Sequence, residues 1–260
     1  MTSAAPLRLT RLSYVLPAHN AQDVLESSVV AIVDRLRAEG VDTSSSRPSH
    51  HEVIIVENAS TDATADVAVS LSKRCTVKNV DVIATSSERG MGHAYRRGME
   101  LAGGELVLLT AADLPFGFSD LDAYLSLPQS PDLAVGSKGH PRSAVEAPLT
   151  RRLMSFAFYL LRRGALGLTT RDTQGTVFIR RTLAHTLLPH LTSTNYLIST
   201  EIIYMARQLG IEAVELPVVY PRPQSPSTVS PLRDSMAMAV GLVKLRQRRP
   251  PADVRVPETR

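Results

Sequence analysis

A chain of 260 residues, 43% apolar and 21% charged, can bury a sizeable core, which excludes wholesale disorder and suits one large α/β domain. The formal net charge is +4 and the pI about 9.4, with arginine supplying much of the excess, so anionic partners such as phosphates, nucleic acid or acidic head groups fit best. The single cysteine, Cys75, excludes an internal disulfide and a zinc site built on cysteines, and fits a reducing compartment.

Residues 1–10 read as a flexible N-terminus without the apolar core and cleavage site of a signal peptide. "LSYVLP" (12–17), "HEVIIV" (51–56), "VDVIAT" (80–85) and "ELVLLT" (105–110) read as buried strands. Between the first two, residues 21–40 place Val24, Leu25, Val29, Ile32, Val33 and Leu36 at helical spacing, and Gly40 ends the helix. A polar linker covers 41–50. A second helix follows "ENAST", with Ser60 or Thr61 expected as its cap. Strands and helices alternating in this way predict a mostly parallel sheet flanked by helices.

Past residue 120 the alternation loosens. "DLAVGSKG" (132–139), "TVFIRR" (176–181) and "IEAVELPVVY" (211–220) are strand candidates, and "TEIIYMARQLG" (200–210) is a helix closed by Gly210. "RRLMSFAFYLLRR" (151–163) holds a short apolar run between arginine pairs, which fits a helix lying in a membrane interface with arginines at the head groups, or a buried core helix. Residues 226–249 include a second amphipathic stretch, basic at its end, and 250–260 read as a disordered tail. No run approaches the ~20 apolar residues of a membrane span. A cytoplasmic location, with room for peripheral attachment at the inner face of the membrane, is the expectation.

Common phosphate-binding motifs are missing. No G-x-x-x-x-G-K-[ST] is present, and "RGMGHAYRRG" has Tyr95 where a dinucleotide fingerprint requires a third glycine. No G-x-S-x-G elbow anchors a hydrolase triad. With 5% aromatic residues and no stacking platform, nucleic acid is not an expected partner. What the chain does offer is a loop at the carboxyl end of each of the first four strands, the edge at which open α/β sheets bind ligands. They are "PAHN" (17–20), "VENASTD" (56–62), "SERGMGHAYRRGM" (87–99) and "TAADLPF" (110–116).

Taken with "GSKGH" (136–140) and "DTQGTVF" (172–178), these loops resemble, in order and over about residues 11–246, the family-2 inverting glycosyltransferases of the GT-A fold. The branch that glycosylates polyprenyl phosphates is the nearest in pattern. The resemblance implies a GT-A domain over 11–225, a nucleoside-diphosphate sugar (UDP- or GDP-) as donor, and a polyprenyl phosphate or other small anionic acceptor. It implies Mg²⁺ or Mn²⁺ as cofactor, and it places Pro17, Asn20, Glu57, Asn58, Arg89, Gly90 and Gly92 at the donor.

Asn20 and Glu57 are expected at the base, where a carboxylate can accept the N–H of a uracil or guanine edge, with a helix cap and a surface acid as the alternatives. Arg89 is expected beside the diphosphate, and Gly90 and Gly92 let backbone come close to the nucleotide. Asp113 is the candidate metal ligand, because magnesium commonly uses one or two carboxylates plus substrate phosphates and waters; the alternative is a cap for the following helix. Asp120 and Asp122 read as surface or cap residues. An acceptor phosphate is already an anion, so it requires cations more than a base, and Lys138, His140, Arg142, Arg151 and Arg152 are the supply. The resemblance gives Lys138 the phosphate contact and puts Asp172 and Gln174 near sugar and acceptor. For a hydroxyl acceptor, Asp172 or Glu201 is the candidate base, Glu201 reading equally well as a helix N-terminal acid.

The chain departs from the pattern at several places. Ala111 stands where D-x-D has its first aspartate, Ala21 follows P-A-x-N in place of glutamate, and Met91 takes the place of the glycine-loop lysine. Asn58-Ala59 replace D-G, and Phe178 replaces a lysine. The alternative reading is therefore a catalytically impaired homologue acting as a nucleotide-binding or partner subunit.

Overall fold

The computed structural model describes residues 11–39, 50–146, 149–221 and 241–248, with backbone only at 149–152. The expected N-terminal arm, most of the linker, residues 226–240, the tail and the side chains of Arg151 and Arg152 lie outside the described residues.

Four strands form the first half of the sheet: β1 (Leu12–Ala18), β2 (His51–Glu57), β3 (Val80–Ser86) and β4 (Leu106–Leu109). They are parallel, with Val15 opposite Ile54 on one side and Leu109 on the other. Valine and isoleucine dominate β2, and such a strand is stable only with both faces covered. Side chains alternate accordingly. Val15, Ile54 and Val107 enter one core cluster, while Tyr14, Leu16, Val53 and Ile55 enter the other. Helices α1 (Gln22–Glu39) and α2 (Thr64–Arg74) cover the second cluster, and α3 (Met91–Leu101) covers the first. A Cβ on Gly98 of α3 would lie 2.1 Å from Val15, so the absence of a side chain there sets how close helix and strand come.

The full order is β3-β2-β1-β4-β7-β5-β8, with β5 at Leu133–Ser137, β7 at Val177–Arg180 and β8 at Val214–Pro217. Chain order reverses at β1, and an open α/β sheet offers its ligand crevice at such a reversal, here beyond the carboxyl ends of β1, β2 and β4. β7 runs antiparallel to β4 and β5. Its first residues therefore start at the same edge where its neighbours end, which carries the segment around Asp172 into the crevice. Helices α4 (Ser119–Leu125), α5 (Leu149–Leu166), α6 (Arg181–Leu187) and α7 (Ile198–Gln208) complete the layers, with a short 3₁₀ turn at Leu188–His190.

Three expectations change. The second helix begins at Thr64, because Ser60 and Thr61 are engaged beforehand: their backbone N–H groups donate to Glu57 and Asn20. The stretch 211–220 breaks into β8 and β9 (Val219–Tyr220), the latter pairing with β6 (Ala144–Val145). Pro217 has no N–H to continue a ladder, and the N–H groups of Val218 and Val219 donate to the hydroxyls of Ser143 and Ser119. Asp120 is 4% exposed, so it is no surface residue; burial pushes its carboxyl up, against hydrogen bonds from Thr176 and the Leu121 N–H. Asp122 does lie at the surface, paired with Arg35 at 2.6 Å.

Candidate active site

Among the described residues only Asn20, Ala59 and Leu114 are non-glycine residues with positive φ, at +48°, +52° and +44°. One follows β1, one β2 and one β4. Backbone strain of this kind persists where surrounding contacts hold it and concentrates at functional loops.

The contacts are specific. The Oδ1 of Asn20 accepts the N–H of Thr61 at 2.9 Å, and the Oε1 of Glu57 accepts that of Ser60 at 2.5 Å, so both side chains tie down the turn after β2. Asn58 is 5% exposed and fully engaged. Its amide donates to Ser87 Oγ and to the Glu88 and Gly90 carbonyls, and its Oδ1 accepts the Gly90 N–H at 2.8 Å. Asn58 thus braces the glycine loop. Pro17 lies within buried β1, one residue before its end.

Gly90 has φ +129°. A Cβ there would stand 2.2 Å from the Thr194 carbonyl oxygen, and one on Gly92 would stand 1.9 Å from that of Ser193. The close approach that requires these glycines is therefore to the 192–195 segment, whose Thr194 carbonyl accepts the Gly92 N–H at 3.0 Å. Arg89, at the tip of the loop, is exposed and has no side-chain partner among the described residues.

Asp113 sits in the turn after β4, closed by the Leu114 N–H on the Ala111 carbonyl at 3.1 Å. It is exposed and makes no ion pair or side-chain hydrogen bond among the described residues. α4 starts at Ser119 with no side-chain cap, which removes the capping alternative for Asp113. Among the described residues no three His, Cys, Asp or Glu side chains cluster as a closed metal cage. One unpaired carboxylate with open space fits a magnesium-type ion completed by phosphate oxygens and water.

Across β7, Lys138 and Asp172 meet. Lys138 Nζ lies 2.7 Å from Asp172 Oδ2, 5.3 Å from the Phe116 ring centre and 5.9 Å from that of Tyr220. Burial alone would raise the Asp172 carboxyl; the Lys138 ammonium and the backbone N–H groups of Gln174 and Lys138 hold it below the usual aspartate range. Gln174 Nε2 donates to Thr200 Oγ1 at 3.1 Å. Glu201 is fully buried and accepts from Thr192, Ser193 and Arg248, so it is no candidate base.

α5 leaves much of its apolar surface exposed. Leu153, Met154, Phe156, Leu160 and Leu161 are 44–69% exposed, so the helix is not a core helix. Arg162, expected at head groups, is instead 1% exposed, donating to the Thr170 and Arg171 carbonyls and lying over the Phe158 ring. A run of apolar residues between two arginine pairs gives no sign of which arginine turns inward; packing against the 168–171 segment decides it. Arg163 remains exposed.

Residues 13–187 match the family model of glycosyl transferase family 2. The chain belongs to that family. The glycosyltransferase is 31% identical over 218 residues to a Drosophila melanogaster dolichyl-phosphate beta-glucosyltransferase, covering 80% of this chain and 66% of that protein. A Dictyostelium discoideum protein of the same name is 25% identical over 252 residues, covering 94% of this chain and 76% of the relative. Among solved structures, glucosyl-3-phosphoglycerate synthase from Mycobacterium tuberculosis with UDP superposes with a TM-score of 0.60 at 18% identity, over 91% of this chain and 78% of that one. The same enzyme with Mn²⁺, UDP-glucose and phosphoglyceric acid gives 0.59 at 20% identity, over 90% and 78%. These likenesses establish the GT-A fold. Among the described residues no helix of the glycosyltransferase is long and apolar enough to cross a membrane.

Proposed function

We propose that this glycosyltransferase moves a sugar, with inversion, from a UDP- or GDP-sugar to a polyprenyl phosphate, working at a membrane surface. The observation that carries the choice of acceptor is the 2.7 Å ion pair between Lys138 and Asp172. A hydroxyl acceptor requires a carboxylate able to take its proton, and Asp172 is held ionised and bonded to a cation. A phosphate acceptor requires the cation, which Lys138 supplies, and it brings no proton to remove.

The step balances without a base. A phosphate oxygen of the acceptor forms a bond to the anomeric carbon from the face opposite the diphosphate, while the bond from that carbon to the diphosphate oxygen breaks and its electron pair leaves with the nucleoside diphosphate. Asn20 and Glu57 shape the base pocket, Arg89 faces the diphosphate, and Asn58 keeps the glycine loop in place. Asp113 would hold Mg²⁺ or Mn²⁺, which supplies charge neutralisation for the departing diphosphate when bound. Lys138, while still paired with Asp172, offers its remaining N–H donors to the acceptor phosphate, flanked by Phe116 and Tyr220, and Gln174 borders the same space. The exposed apolar side chains of α5, with Arg163, form a surface suited to a lipid interface. The relatives named as dolichyl-phosphate glucosyltransferases support this acceptor class. The impaired-subunit alternative is not favoured, since those relatives are named as enzymes and Asp113 and Arg89 stand available.

The test is nucleoside-diphosphate release from a panel of UDP- and GDP-sugars with Mg²⁺ or Mn²⁺, offered polyprenyl phosphate, the corresponding polyprenol, or 3-phosphoglycerate. Release with polyprenyl phosphate alone is expected. Equal turnover of the polyprenol would refute the cation-for-base argument, and turnover of 3-phosphoglycerate alone would refute the lipid acceptor.

A further inference from the structure

Glu201 stands in the first turn of α7, wholly buried, and its carboxyl group lies outside the chemistry described so far. The Thr192 N–H donates to both of its oxygens at 3.2 and 3.1 Å, the Ser193 N–H to Oε2 at 2.7 Å and the Thr192 hydroxyl to Oε1 at 3.2 Å. Its last partner comes from far along the chain: Arg248 Nη1 donates to Oε1 at 3.1 Å. The segment it holds is the one that presses on the glycine loop, with the Thr194 carbonyl accepting the Gly92 N–H and no room for a Cβ at Gly90 or Gly92. Arg96 of α3 adds a second tie at 3.1 Å to the Leu191 carbonyl.

Arg248 is anchored rather than loose. Residues 241–246 are helical, Leu242 and Leu245 are 0% and 3% exposed in the same core cluster as Leu197 and Ile198, and a Cβ on Gly241 would meet Leu197 at 2.5 Å. One carboxylate therefore joins residues 241–248 to the 192–195 segment, which in turn meets the glycine loop.

We infer that Glu201 is a positioning residue for the glycine loop, and that residues 241–248 act through Arg248 as a clamp setting that loop's geometry for the donor. The clamp stands on contacts alone; its effect on the donor rests on the proposed assignment of the glycine loop to the diphosphate. Glutamine cannot take the place of Glu201. Each carboxylate oxygen faces at least one N–H donor, so either orientation of an amide sets donor against donor. Loss of Arg248 is milder, leaving the carboxylate with its Thr192 and Ser193 donors but without its counter-ion.

The full chain should be compared with Arg248→Ala, Arg248→Lys and Glu201→Gln by amide hydrogen exchange, thermal melting, and titration with UDP and GDP in Mg²⁺. For Arg248→Ala the melting point is expected to stay within a few degrees of the parent. Exchange at the Gly92 and Ser193 amides should rise roughly tenfold, and nucleoside diphosphate should bind roughly tenfold more weakly. KM for the donor should rise, with kcat at saturating donor within about twofold of the parent, and Arg248→Lys should recover part of the protection. Glu201→Gln should show the same pattern more strongly. Unchanged exchange at Gly92 and Ser193 in Arg248→Ala would overturn the clamp. Faster exchange with unaltered nucleotide affinity would overturn the positioning role. A parent protein that binds neither UDP nor GDP would sink the donor-site reading, while the exchange result would still decide the clamp.

Discussion

At the scale of single residues, the site contrasts a carboxylate left open with one that is occupied. Asp113 is exposed and unpaired among the described residues, whereas Asp172 is bonded to Lys138, so the two are suited to different work. Asp113→Asn keeps the shape and removes the charge. It should leave the melting point unchanged and remove roughly 2–4 kcal/mol of transition-state stabilisation, about 30- to 1000-fold in kcat/KM, read as nucleoside-diphosphate release. Ala111 sits two residues away, partly exposed in the same turn. On the proposed reading, its lack of a carboxylate would leave Asp113 to hold the metal with the nucleotide's own oxygens.

At the scale of elements, α5 is the unusual one, because a surface helix normally hides its apolar face. Leu153 and Phe156 are 69% and 54% exposed, so replacing both with glutamine removes little buried area. The Leu153→Gln/Phe156→Gln variant should melt within a few degrees of the parent and yet lose most of its co-sedimentation with vesicles containing anionic lipid. Equal sedimentation of the two proteins would refute the interfacial role of α5. The antiparallel strand β7 matters for a different reason: it brings Asp172 and Gln174 to the edge where β4 delivers Asp113 and β5 delivers Lys138.

At the scale of the whole molecule, buried carboxylates tie stability to pH. Glu52, 5% exposed at the amino-terminal edge of the sheet, is pushed up by burial, but hydrogen bonds from Ser13 Oγ and the Gly103 N–H, with the Arg11 ion pair, bring it below its ordinary 4.5. Asp172 lies below its ordinary 3.8. A carboxylate with a depressed folded value contributes stability that is complete above the unfolded value and lost as pH falls through the folded one. Stability should therefore be level near neutrality and decline in the acid range below about pH 4.5, measured as urea midpoints across pH. Glu52→Gln should cost roughly 1–3 kcal/mol at neutral pH and flatten that acid decline.

The sequence by itself determined the alternating strands and helices, the edge at which the loops gather, and the residue types offered there, because period, turn chemistry and motif order are local properties. Asp113 and Lys138 were legible for that reason. Tertiary structure decided what each side chain is free to do. Asn58 and Glu201 look like ligands or bases in one dimension, but they are occupied by backbone donors 32 and 8 or 9 residues away. The glycines of "RGMG" owe their need for space to Ser193 and Thr194, a hundred residues on, and no local pattern announces that contact. Arg162 turns inward and Arg163 outward although they are adjacent, since helix packing, not composition, assigns a face to each. Hydrogen-bonding capacity and solvent access belong to the folded surroundings of a group, so they become fixed only when distant segments meet.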